Sequence, residues 1–245
     1  MFMENGQYLK QTQERPEDNS AIGFVFSHAA WAGRSRHLAL RWWNAFYEGM
    51  AATESRMLPL GTSLPVFSLE ECASGQTVSS TSFEGVSALV VIFLCAHCPY
   101  VIHVVPELRR LVGDYSGRGV RFVGITSNDP EQYPEDSIEG TAEFASREGL
   151  VFPILFDATQ EVAKAFSAAC TPDFFVFGQD ARLVYRGQLD DSRPRRSVDR
   201  PGRGVLNGAD VRAALDALLA GERVGAEQRP SIGCGIKWRP GNEPA

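Results

Sequence analysis

Cys95 and Cys98 stand three residues apart, directly after the apolar run Ala88-Leu89-Val90-Val91-Ile92-Phe93-Leu94. A thiol placed where a buried strand hands over to a helix meets unpaired backbone N–H groups and the positive end of the helix dipole, and both favour an anion. The anion available here is a thiolate, which is nucleophilic near neutral pH. Two intervening residues bring the second sulfur within bonding reach, so that attack and resolution can occur in one loop. His97 lies between them; as an imidazolium it would stabilise the reduced form and make the disulfide more oxidising. One pKa unit of thiolate stabilisation corresponds to about 1.4 kcal/mol. Half a zinc site and a pair of core cysteines are the competing readings, and the strand-then-helix context favours redox chemistry over both.

The elements that must position this pair are legible around it. Ala88 to Phe93 reads as a central strand covered on both faces. Val101, Val104, Val105, Leu108, Leu111, Val112 and Tyr115 recur at helical spacing until Gly117 and Gly119. Val120 to Thr126 is a second strand, making a βαβ unit with a parallel pair. Upstream, Pro65–Glu70 and Thr77–Val78 are short strands around Ser74-Gly75. Downstream, Ser137 caps a helix through Glu148, Phe152–Phe156 is a strand edge, and Thr159 caps a helix carrying Val162, Ala163 and Phe166. Asp173–Phe177 and Leu183–Tyr185 form a hairpin, and a last helix runs from about Gly208 to Gly221. The segment beyond it has too much Gly and Pro for regular structure and is expected to wrap the domain surface. Residues 58–221 therefore read as one α/β domain, with 1–57 an extension and 222–245 a tail.

Within that extension Met1 to Ser20 is polar and reads as disordered. Leu38 to Tyr47 reads as a short helix, either a membrane-surface or partner helix or part of an appendage outside the fold. The chain has 245 residues, with Lys+Arg 24 against Asp+Glu 30 and a net charge of -6. No basic block suits nucleic acid, and no apolar run approaches the ~20 residues of a membrane span. The start has no charged region followed by an apolar core and a cleavage site. A cytoplasmic location is expected, where five cysteines are reduced, catalytic or metal-bound rather than a disulfide framework.

With Cys95-Ala96-His97-Cys98-Pro99 and with Thr171-Pro172 before a strand, residues 58–219 resemble the thioredoxin-like superfamily, in the redoxin branch that also holds alkyl hydroperoxide reductases and thiol-specific antioxidants. The runs Tyr133-Pro134-Glu135-Asp136-Ser137, Thr171 to Phe175, Tyr185 to Pro194 and Gly233-Cys234 with Ile236-Lys237-Trp238 are similar to those of bacterial thioredoxin family proteins. The resemblance implies a mixed central sheet flanked by helices, Cys95 as the attacking thiol, Cys98 as the resolving thiol, and Pro172 as a cis-proline beside Thr171, which binds extended substrate. It also exposes departures. Ala88 to Leu94 lacks the acid that thioredoxins bury before their cysteine pair, which leaves proton transfer to His97 or His103. If Cys98 were a peroxidatic cysteine, Val91 and Cys95 would occupy the positions where the peroxidases carry proline and threonine or serine.

Three cysteines remain. Cys170 is either a third redox thiol near the proline loop or a buried small residue. Cys234, flanked by glycines, is either a resolving or relay thiol or a surface thiol. Cys72 reads as structural. The expected activity is cofactor-free thiol–disulfide exchange through a mixed disulfide, on protein or small-molecule disulfides, with an unidentified electron donor. The alternatives are a peroxiredoxin-like peroxidase and a copper- or zinc-binding chaperone. No resident metal is expected.

Overall fold

A computed structural model describes residues 52–195 and 202–244; the short helix expected over 38–47 lies outside them. In chain order the elements are β1 (Ala52–Glu54), β2 (Ser68–Glu71), β3 (Thr77–Ser79), β4 (Ala88–Phe93), α1 (Pro99–Tyr115) and β5 (Val120–Thr126). There follow α2 (Ile138–Arg147), β6 (Ile154–Phe156), α3 (Glu161–Ala165), β7 (Cys170–Thr171), β8 (Asp173–Gly178), β9 (Leu183–Gly187), α4 (Ala209–Leu219) and β10 (Ile232–Gly235). Seven strands form one mixed sheet in the order β3-β2-β6-β5-β4-β8-β9. The pairs β4–β5 and β5–β6 are parallel and the others antiparallel, the mixed α/β arrangement expected from the sequence.

β4 is central because all six of its side chains are buried, which a strand covered on both faces requires. Ala88, Val90 and Ile92 pack with Phe174 and Val176 under Val101, Val104 and Leu108 of α1 and Val211 and Leu215 of α4. On the opposite face, Leu89, Val91 and Phe93 meet Phe175, Phe177 and Phe166. Edge-on contacts of Phe166 with Phe93 and Phe175, both at 5.3 Å, knit that layer. Between α1 and β5 the chain reverses at Gly119, whose φ of 81° lies in the left-handed region open to glycine.

Two elements depart from the sequence reading. The N-cap of α3 is Gln160, not Thr159. The first turn's N–H groups are instead held by the buried Asp157 carboxylate, which accepts from Val162 and Ala163. The tail is not irregular throughout, because Ile232–Gly235 is a strand. It pairs with β1 on one side and β7 on the other to make a small second sheet, so β1, upstream of residue 58, is tied to the fold through it.

Candidate active site

The end of β4 delivers the chain into Leu94-Cys95, a turn at Ala96-His97, and then α1. Cys98 is the N-cap of α1 and Pro99 its first residue, a position at which proline is favoured because its missing N–H has no helical partner. The sequence reading placed the Cys95–Cys98 pair at the strand-to-helix junction; in the fold Cys98 is the residue at the helix terminus, and Cys95 lies before the turn. Burial alone would push the Cys98 thiol up. The Cys234 and Cys95 sulfhydryls, the Thr171 hydroxyl and the Val101 N–H oppose this and hold Cys98 well below its ordinary value. Cys95 moves the other way, held well above by burial, by the neighbouring Cys98 charge and by Asp136. The surroundings thus favour the ionised form at Cys98 over Cys95. Both sulfurs are shielded, with Cys95 1% and Cys98 0% exposed.

Facing the pair is the loop from β7 to β8, where the Thr171–Pro172 peptide bond is cis. The Thr171 hydroxyl lies 3.4 Å from Cys95 Sγ, and its carbonyl oxygen lies 3.2 Å from Cys98 Sγ. Against the same loop runs β10, in register Cys234 to Thr171. A Cβ on Gly233 would fall 2.0 Å from the Thr171 oxygen, so only glycine lets β10 lie this close. That approach carries Cys234 Sγ to 2.8 Å from Cys98 Sγ. Cys95, Cys98, Thr171, Pro172 and Cys234 are thus brought together; Cys170 adjoins Thr171 in β7, with no hydrogen bond to either sulfur of the pair. Burial, Asp173 and the Cys98 charge hold the Cys170 thiol well above its ordinary value. Cys72 is similar, pushed up to about 12 by burial and by Glu71 and Glu70.

The acid that β4 lacks comes from elsewhere. Asp136, fully buried in a short 3-10 turn, accepts the Ala96 N–H at 2.8 Å and the Asn128 side-chain amide at 2.7 Å. His97 Nδ1 lies 2.8 Å from the same carboxylate, close enough for an ion pair though out of line for a formed hydrogen bond. Burial favours the neutral imidazole, but Asp136, the Cys98 charge and Glu135 outweigh it and raise the His97 pKa. The His97 ring stacks on Tyr133 at 5.0 Å, and Lys237 lies over the other ring at 5.7 Å. The tail beyond β10 is latched to this loop: Asp129 N–H donates to the Lys237 carbonyl, and Lys237 N–H donates to Asn128. Sequence reasoning missed Asp136 as a site residue, although it lies inside one of the runs that carried the resemblance. His103, offered as a proton carrier, is instead 3.0 Å from Ser192 beside a small cavity at Pro172.

Cys95, His97 and Asp136 present ligand-type atoms within 4.8 Å of one another, the set that could hold a metal among the described residues. Asp136 is already engaged by two N–H donors, which leaves little of it for an ion. Asp173, just after Pro172, is wholly buried; neither oxygen has a formed hydrogen bond, and burial lifts its pKa to about 8 against weak opposition from Ser231 and the Phe174 N–H.

A strand-to-helix thiol site facing a cis-proline loop defines a thioredoxin-like redox fold. The profile of the Redoxin family matches residues 59–200, and the chain belongs to that family. A Mycobacterium tuberculosis protein named "Putative peroxiredoxin" is 30% identical over 161 residues, 66% of this chain and 91% of its own. The thiol-disulfide oxidoreductase ResA of Halalkalibacterium halodurans is 25% identical over 139 residues, 57% of this chain and 73% of its own. Among solved structures, a conserved uncharacterized protein from Geobacillus kaustophilus is 52% identical with a TM-score of 0.74, covering 78% of this chain and 98% of that one.

Proposed function

We propose that this protein is a thiol–disulfide oxidoreductase in which Cys98 attacks and Cys95 resolves, reversing the order expected from the sequence. The observation that carries this reading is the place of Cys98 at the N-cap of α1, with Cys95 three residues earlier in the turn before it. Cys98 thiolate attacks one sulfur of a partner disulfide, and the partner's other sulfur leaves as a thiolate. Cys95 then loses its proton and attacks Cys98 Sγ, which forms the Cys95–Cys98 bond and frees the second partner thiol. Thr171 and Pro172 line the path of the incoming disulfide. His97, with its pKa raised beside the Cys98 charge, stabilises the reduced form. No bound cofactor is needed, and the electron donor is a second dithiol system. Such a dithiol cycle suits a reducing, cytoplasmic compartment.

A second reading, peroxide reduction, is favoured by one observation: both sulfurs are almost fully shielded, which admits a small oxidant more readily than a folded partner. The second-order rate of the reduced protein with hydrogen peroxide, followed by tryptophan fluorescence in wild type, Cys98→Ser and Cys95→Ser, separates the two. Exchange as the function requires a peroxide rate no better than that of an ordinary thiol, together with exchange with a model disulfide that is abolished by Cys98→Ser. Equal exchange by Cys98→Ser and wild type would overturn the assignment of Cys98. A peroxide rate far above an ordinary thiol's would establish the second reading.

A further inference from the structure

Cys98 has a sulfur neighbour on each side. Cys95 approaches from the turn before α1, and Cys234 approaches from β10, 136 residues further along the chain, at 2.8 Å between the two Sγ atoms. That separation is inside the van der Waals contact of two sulfurs and less than an ångström beyond a disulfide bond of about 2.05 Å. The approach is built into the backbone. β10 is held between β1 and β7, its register sets Cys234 opposite Thr171, and Gly233 removes the side chain that would hold the strand off the Thr171 carbonyl. Cys234 is 2% exposed, so its sulfur is directed inward at Cys98 rather than offered to solvent.

We infer that Cys234 is a second resolving thiol, and that the oxidised site exists in two forms, Cys95–Cys98 and Cys98–Cys234. This rests on the reading of Cys98 as the attacking sulfur. Starting from Cys98 in a mixed disulfide with a substrate sulfur, Cys234 gives up its proton and attacks Cys98 Sγ. The Cys98–Cys234 bond forms, the bond to substrate breaks, and the substrate sulfur leaves as a thiolate that takes up the proton. The same attack on a Cys95–Cys98 disulfide returns Cys95 as a thiol and moves the bond to β10, with no external oxidant. Two thiols of the protein are oxidised and one substrate disulfide is reduced by either route. The second bond joins the N-terminus of α1 to the β1-β10-β7 sheet, so the redox state is written into the attachment of the tail.

The test uses the full reduced chain and 5,5′-dithiobis(2-nitrobenzoate) as the model disulfide, with peptide mapping by mass spectrometry under non-reducing conditions. In Cys95→Ser, label on Cys98 is expected to be transient and to give way to a Cys98–Cys234 cross-linked peptide pair. In Cys95→Ser/Cys234→Ser the label is expected to stay on Cys98. A Cys95→Ser protein that folds as wild type by near-UV circular dichroism yet keeps its label would overturn the proposal. If the double variant does not fold, the wild type decides: oxidation giving the Cys95–Cys98 peptide pair alone overturns the proposal, and a mixture containing Cys98–Cys234 supports it. Failure of Cys98 to take label in the folded double variant, where neither neighbouring thiol can release it, would instead remove the underlying reading, and the inference with it.

Discussion

At the scale of single residues, Asp173 gives the sharpest test of the electrostatics. Its folded pKa of about 8 lies above the ordinary carboxylate value, so in the unfolded chain it ionises near pH 4 while in the folded protein it keeps its proton. The folded state binds the extra proton across that window. Stability from this group is therefore complete below about pH 4 and is lost progressively as pH rises towards 8. Asp173→Asn should remove that slope, raising the urea midpoint little at pH 4 and by a few kcal/mol in unfolding free energy at pH 8. An unchanged dependence of stability on pH would mean that the carboxylate is not held neutral. Residue types in the site were only partly legible in the sequence. Cys95, His97, Cys98, Thr171 and Pro172 were found because local motifs carry them. Asp136 was not, since it reaches the Ala96 N–H from 40 residues away, and no local spacing encodes that. CxxC spacing does not say on which cysteine the helix begins; Pro99, well suited to the first helical position, was the available signal.

At the scale of elements, α1 and α4 are joined by an ion pair as well as by apolar packing. Glu107 is buried, and its Oε1 takes Arg212 Nη2 at 2.7 Å, while Arg110 reaches Oε2 at 2.6 Å. Removing one partner strands a buried charge, which costs more than the pair contributes. Arg212→Met should lower stability by about 2–4 kcal/mol, somewhat eased by Arg110, and Glu107→Gln in the same protein should recover part of it. A double-mutant cycle by urea unfolding, showing no recovery, would contradict this. The long elements were readable because their burial imposes a pattern: β4 as an apolar run, α1 as a helical one. β10 was hidden for a physical reason. Its sequence Ile-Gly-Cys-Gly has the composition of a loop, and its glycines serve close approach to Thr171 and Thr53 rather than turning.

At the scale of the whole molecule, the tail after β10 is latched to the loop whose Tyr133 stacks on His97. Lys237 and Arg239 engage the Asn128–Tyr133 loop, and Asn242 holds Gln160. Truncation after Gly235 should release this latch and loosen the loop against His97 without removing a thiol. Alkylation of Cys95 and Cys98 by iodoacetamide in the native reduced protein should then rise about tenfold, equivalent to about 1.4 kcal/mol less opening cost; an unchanged rate would place the barrier elsewhere. The pairing of β1 with β10 has a mechanical consequence. Ala52 lies opposite Cys234 and Glu54 opposite Ile232, so tension applied to the chain before Ala52 and after Gly235 loads this pair one hydrogen bond at a time, as a zipper opens. The parallel pair of β4 and β5 would have to be sheared along its whole length instead. The first contact to yield under a pulling force is therefore the seam between β1 and β10, and stretching the protein would bare one edge of the strand that carries Cys234, still held to β7, before the central sheet gives way.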